Sequence, residues 1–326
     1  MIFQRSTLIF AKNNFMNKKH IVVVGLGGVG GYFGFKINQT NETSGKYTVS
    51  FVARGETYKK VKENGLTLLS PEHSNTQTYP NAVEENISDI QNPDLVLICV
   101  KEYDLENVCK QLLPVIHKET ILLPMMNGAD IYDRIRKIIP EHTVLPTCIY
   151  VASHIKERGT VEHKGKAGKM IVGRDPEHFS TSLEWITDLL SESKIDFDFK
   201  DNSLTDIWTK FIFIASFGLV TAKHNSSIGT VCTDEQQKNE ATEIMKEIKQ
   251  IADKKEIYLQ DDIVDKTFEK ASTFPFETPT SLQLDINSGK KENELELFAG
   301  AVLKYGSETG IDTPFTQKIY AEIKAK

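Results

Sequence analysis

His20-Ile-Val-Val-Val-Gly-Leu-Gly-Gly-Val-Gly-Gly-Tyr-Phe-Gly-Phe-Lys36 is the stretch whose reading decides the fold. Ile21 to Val24 is a β-branched run suited to a strand buried on both faces. Gly25, Gly27 and Gly30 then spell G-x-G-x-x-G, and Val29 to Ile37 can continue as a helix. In such a turn the first glycine permits the sharp bend and the second lets backbone approach a pyrophosphate. The third lets helix pack closely on strand, with the phosphates at the helix N-terminus. Glycine-rich turns are common, so the motif alone is weak; its place directly after a strand is what points to dinucleotide binding. The expected cradle is Gly25, Leu26, Gly27, Gly28, Val29 and Gly30.

Tyr47 to Val52 reads as a second strand, ending at Ala53-Arg54-Gly55. An NAD-binding unit usually places Asp or Glu here, on the ribose 2′-hydroxyl. This chain has Arg54, and the next acid along the chain is Glu56. A cation can pair with a 2′-phosphate, so NADP(H) is expected over NAD(H); an ordinary surface arginine is the plainer alternative. Two more apolar runs, Asp94 to Val100 and Thr120 to Met126, end in Lys101 and Asn127. Strand carboxyl ends face the ligand crevice in open parallel sheets, which makes both residues candidates for contact with cofactor and substrate. Asn127-Gly128 also makes a good plain turn.

At 326 residues the chain is long enough for two cores, and its net charge of -6 gives no field for nucleic acid or an acidic membrane. Cys99, Cys109, Cys148 and Cys232 are scattered without a C-x-x-C, and the histidines form no H-E-x-x-H. Reduced cytoplasmic thiols and no metal are expected. The apolar segment 211–222 is too short to cross a membrane and suits a buried helix. The chain start is a poor signal peptide. Residues 1–16 are expected to be a disordered, dispensable extension and 17–200 a Rossmann-type doubly wound α/β domain. Residues 201–326 are expected to form an all-helical domain.

That second part reads as helices. Ser203-Leu-Thr-Asp206 has the form of a capping box, followed by Ile207 to Phe217, apolar nearly all round. Lys210 is its only charge. An i,i+4 pair with Asp206 is the plain reading, but a lysine among Trp208, Phe211, Phe213 and Ile214 is better explained by acid-base chemistry. Thr233 to Gln236 is a second capping-box candidate. It opens a helix striped by Ala241, Ile244, Met245, Ile248, Ile251 and Ala252. A further helix starts near Asn293, with Glu294 at the head of an apolar stripe.

The chain resembles the 2-dehydropantoate 2-reductase (ketopantoate reductase) family from about Met16 to its C-terminus. The resemblance is carried by Gly25-Leu-Gly-Gly-Val-Gly30, Ala53-Arg-Gly55, Val100-Lys101, Asn127-Gly128, Trp208-Thr-Lys210, Thr280 to Asp285, and Asn293 to Gly300. It implies NADPH at the glycines and Arg54, and Lys101 near cofactor and substrate. It also implies Asn127 and Ser281 on the substrate and Lys210 as general acid. Glu294 would bind substrate and support that lysine. The implied reaction is NADPH-dependent reduction of 2-dehydropantoate to pantoate, toward pantothenate and coenzyme A. The alternatives are another small 2-oxo acid, or a cofactor-binding sensor without turnover. The expected partner is a small 2-oxo acid in the cytoplasm, and a homodimer is left open. Three departures stand out: Ile214 and Gly218 occupy places where the family's best-known branch has asparagine, and Ala299 the place of an asparagine that often precedes the glycine at Gly300. One residue is also added between Ser281 and Glu294, which leaves Glu292 as a lesser alternative for the acid.

Overall fold

A computed structural model describes residues 18–325; the expected extension, residues 1–16, lies outside them. β1 (Lys19–Val24) runs through the glycine turn into α1 (Gly28–Ser44). β2 (Tyr47–Val52), α2 (Gly55–Asn64), β3 (Leu66–Ser70), β4 (His73–Thr78) and β5 (Ala82–Glu84) follow. Next come β6 (Leu95–Ile98), α3 (Glu102–Leu112), β7 (Ile121–Pro124), α4 (Ile131–Ile138) and β8 (Thr143–Val144). Six of these strands pair in parallel in the order β5-β2-β1-β6-β7-β8. Chain progression reverses beside β1, so a crevice opens beyond the carboxyl ends of β1 and β6.

The β-branched run behaves as its composition demands. Ile21 to Val24 are at most 3% exposed. Ile21 and Val23 join one core with Phe33, Phe35 and Phe51, whereas Val22 and Val24 join a second core shared with the C-terminal helices. One strand thereby fastens both halves of the molecule.

Residues 143–150 are divided between two strands. Pro146 has no amide hydrogen to donate, and there the chain leaves the parallel sheet. β9 (Thr147–Tyr150) instead pairs with β12 (Lys169–Gly173), which also holds β13 (Asp196–Lys200). β10 (Ser153–Glu157) and β11 (Thr160–His163) complete a small sheet with β3 and β4. α5 (Glu184–Glu192) precedes β13.

Beyond Lys200 the described residues hold helices and no strand. These are α6 (Leu204–His224), α7 (Ile228–Thr233), α8 (Glu235–Lys254), α9 (Ile263–Ser272), α10 (Ser281–Asn287), a π turn (Glu296–Gly300), α11 (Ala301–Thr309) and α12 (Pro314–Lys324). α6 is longer than the apolar run indicated, and by length and composition it could cross a membrane. Here Phe211, Ile212, Ala215, Phe217 and Val220 are buried within the protein, against neighbours that include α8 and α10.

Both capping boxes read from the sequence are corrected. The Ser203 hydroxyl donates to the Pro146 carbonyl at 2.9 Å, so it does not cap α6. At α8 the cap is Asp234, which accepts from the Gln237 amide at 2.9 Å. A capping box does form at Thr280 and Gln283, and it starts α10.

Candidate active site

The three motif glycines have three separable duties. Gly25 sits at φ +94°, and a Cβ there would lie 2.5 Å from the Cys99 carbonyl oxygen. A Cβ on Gly30 would lie 2.0 Å from the Gly25 carbonyl oxygen, which closes helix against strand. Around Gly27, by contrast, a Cβ would meet nothing within 4 Å. Gly27 is the N-cap of α1 and has no capping side chain, so the helix N-terminus opens toward the crevice. This is the arrangement an anionic pyrophosphate requires, with free amide hydrogens and the positive end of the helix dipole.

The crevice has two joined chambers. One, of about 360 Å³, runs from Gly25, Leu26 and Gly27 to Arg54 and Asp104. The other, of about 590 Å³, runs from Gly27, Gly28 and Val29 to Lys210, Ser281 and Glu294. They share Gly27, Cys99, Val100 and Lys101. Their combined shape suits an elongated ligand lying across the glycine turn.

In the first chamber Arg54, three-quarters exposed, forms a two-pronged ion pair with Asp104 at 2.8 and 3.2 Å. The same chamber holds Arg158, from the turn between β10 and β11, and Glu85, which accepts from the Gly55 amide at 3.0 Å. Glu85 escaped the sequence reading because it follows the distant strand β5, which pairs beside β2. An acid at the end of this sheet edge suits a ribose 2′-hydroxyl, whereas the two arginines suit a 2′-phosphate.

The second chamber collects Lys101, Asn127, Lys210, Ser281 and Glu294, which are far apart in the chain. Gly128 follows Asn127 at φ +120°, and a side chain there would strike Leu297 at 2.4 Å. The turn is thus more than a plain connection: it docks on the helical half. Lys210 Nζ donates to Asn127 Oδ1 at 2.7 Å and also to the Ile149 carbonyl, and it lies 5.1 Å from the Tyr150 ring centroid. Asp206 does not pair with Lys210; it pairs with Lys200 at 2.8 Å. Burial pushes the Lys210 pKa down to about 8, and Lys270 adds to the depression. The Cys148 thiol and Glu294 act in the opposite sense.

Glu294 does not touch Lys210. Its carboxylate is buried and ion-paired to Lys101, which also approaches Asp285 at 3.6 Å. Burial disfavours the Lys101 charge, but Glu294 and then Asp285 outweigh it, and its pKa is raised. The support that Glu294 lends Lys210 is therefore electrostatic and acts over distance. Glu292 is exposed and lines neither chamber, whereas Glu294 lines the second. Of the three asparagine departures, Ile214 lines the chamber. Gly218 faces the Phe298 ring at 3.7 Å, and Ala299 is fully buried. Burial also raises the Tyr150 hydroxyl pKa, so that group stays neutral beside Lys210.

Comparison with known proteins identifies the family and the fold. Residues 21–177 match the model of Ketopantoate reductase PanE/ApbA, and residues 202–326 match that of Ketopantoate reductase PanE/ApbA C terminal. A 2-dehydropantoate 2-reductase of Streptococcus pyogenes serotype M3 is 23% identical over 312 residues, 94% of this chain and 97% of that one. A PanE/ApbA family ketopantoate reductase structure from Ralstonia eutropha JMP134 superposes with a TM-score of 0.84 at 22% identity, covering 94% and 97% of the two chains. The structure of a D-mandelate dehydrogenase with NADH and anilino(oxo)acetate superposes at 0.81 with 20% identity, again covering 94% and 97%. The chain belongs to the ketopantoate reductase PanE/ApbA family of nicotinamide-dependent oxidoreductases.

Proposed function

We propose that this protein reduces a 2-oxo acid with NADPH, 2-dehydropantoate being the first candidate. The observation that carries the reading is the Lys210 ammonium, held among neutral groups in the chamber that begins at the glycine turn. A nicotinamide dinucleotide held at Gly25, Gly27 and Gly30 would supply hydride chemistry to this chamber. The oxyanion that develops needs a proton, and Lys210 Nζ is placed to give it. Asn127 Oδ1 and the Ile149 carbonyl fix the direction of that Nζ, and neither competes for its proton as a carboxylate would. Ser281, the first residue of α10, offers a neutral hydroxyl for orienting the substrate.

The lowered Lys210 pKa gives the reaction a pH signature. Reduction needs the protonated amine, so kcat/KM should be level below about 8 and fall about tenfold per pH unit above it. Oxidation of the hydroxy acid needs the neutral amine and should show the mirror-image rise. Profiles measured in both directions check this, and a reduction rate that climbs through pH 8 contradicts it.

The cofactor preference rests on Arg54, with Arg158 beside it. Arg54→Ala should weaken NADPH binding at least ~10-fold while changing NADH binding by less than ~3-fold, as cofactor fluorescence titration would show. Glu85 and the Asp104 that occupies Arg54 favour a second reading in which NADH serves. Tighter binding of NADH than NADPH by the wild type would establish it.

Ile214 favours a second reading of the substrate, since it gives the chamber wall no hydrogen bond where a hydroxylated acid would want one. Steady-state assays of 2-dehydropantoate against other branched and aromatic 2-oxo acids, ranked by kcat/KM, decide between them. Cofactor binding with no oxidation by any 2-oxo acid would leave a sensor. The four free cysteines suit a reducing compartment such as the cytoplasm.

A further inference from the structure

Three lysines reach the second chamber, and only one is neutralised there. Lys101 is held by Glu294 and Asp285, and Lys210 by the neutral Asn127 and Ile149 groups. The third is Lys270, in the last turn of α9. A lysine near a helix C-terminus is commonly there for the dipole, but this one leans into the site. Its Nζ lies 5.0 Å from the Tyr150 ring centroid and 5.6 Å from that of Phe213. Lys210 sits over the same Tyr150 ring. Among the described residues Lys270 has no carboxylate within ion-pair distance, and its surroundings are aromatic, with Phe213 stacked on Phe274.

We propose that Lys270 anchors the carboxylate of the substrate, resting on the oxo-acid reading above. A 2-oxo acid carries its carboxylate one bond from the carbonyl that Lys210 must protonate. Two ammonium groups over one ring can therefore serve the two adjacent functions: Lys210 the oxo oxygen and Lys270 the carboxylate. The aromatic surroundings offer no competing carboxylate; Lys270 and Phe274 are exposed in the open chamber, and a bound substrate would cover them and so strengthen the charge-assisted pair. Lys270 is thus short of partners until an anion arrives. Burial pushes its pKa down, which a bound carboxylate would reverse. The substrate's side chain would then lie along Phe213, Ile214 and Phe274, which favours branched or aromatic groups over a methyl.

Lys270→Gln should raise KM for 2-oxo acids at least ~10-fold with kcat changed less than ~3-fold, and Lys270→Arg should recover most of the loss. Oxamate, a carboxylate probe, should bind the wild type loaded with NADP⁺ and bind Lys270→Gln at least ~10-fold more weakly, with NADPH affinity the same in both. Equal KM and equal oxamate affinity in Lys270→Gln would overturn the proposal. So would a wild type that binds no oxamate, or an arginine variant as impaired as the glutamine one with a lowered melting temperature. Lys270-dependent oxamate binding without NADPH oxidation by any 2-oxo acid would sink the reductase reading and leave the anion site standing.

Discussion

Lys210→Ala should lose at least ~10²-fold in kcat for 2-oxo acid reduction while binding NADPH within ~3-fold of the wild type. The loss falls on kcat because the proton is needed only as the oxyanion develops, not when the ligands bind. Removing the side chain also leaves Asn127 Oδ1 and the Ile149 carbonyl without their donor, so a melting curve must accompany the rate. Small primary amines separate the two effects. Methylammonium fits the space left by the side chain and should restore part of the rate if a proton donor was lost, and none if the chamber collapsed. A variant with near-wild-type kcat would remove Lys210 from the chemistry.

The second large effect is expected at the glycine turn, where two substitutions of the same size should fail in opposite ways. Gly27→Ala adds its methyl to open space beside the helix N-terminus. Fold and melting temperature should stay as they are, while cofactor affinity drops at least ~10-fold, about 1.4 kcal/mol, because that space is where a pyrophosphate must approach. Gly30→Ala puts its methyl 2.0 Å from the Gly25 carbonyl oxygen, a contact that backbone cannot relieve without lifting α1 off β1. It should destabilise the protein by about 3 kcal/mol and lower the melting temperature by roughly 5–10 °C. Calorimetry and cofactor titration on both variants test the pair together. A Gly27→Ala protein that binds NADPH normally would place the phosphates elsewhere.

Much of the fold and of the crevice is legible in the sequence alone. The glycine turn, the buried strand before it and the apolar runs ending in Lys101 and Asn127 are local patterns, and local patterns survive folding when burial agrees with them. Lys210 was legible for a related reason: a charge inside an apolar helix demands an explanation. Partner choice was not legible. Lys101 meets Glu294 across 193 positions, and nothing near either residue announces the other. Ser203 has the right type and spacing for a cap, yet the nearby Pro146 carbonyl takes its hydroxyl. Lys270 lies on an otherwise ordinary amphipathic helix, next to the buried Ala271, and only the tertiary approach of Tyr150 sets it apart.

The polar contacts across the crevice carry one more implication. Lys101 and Asn127 come from the sheet, and their partners Glu294 and Lys210 come from the helices. The lysine sits on opposite sides in the two contacts, and Lys210 also reaches the Ile149 carbonyl, so the sheet and the helices are tied here by the Lys101–Glu294 ion pair and by hydrogen bonds to neutral groups. A motion that parts sheet from helices would have to break both contacts. Glu294 is buried and Asn127 is neutral, so neither contact is readily screened, and added salt should slow cofactor association as it does for other anionic ligands. Amide exchange in the 125–128 loop should likewise report the opening rate of the whole cleft.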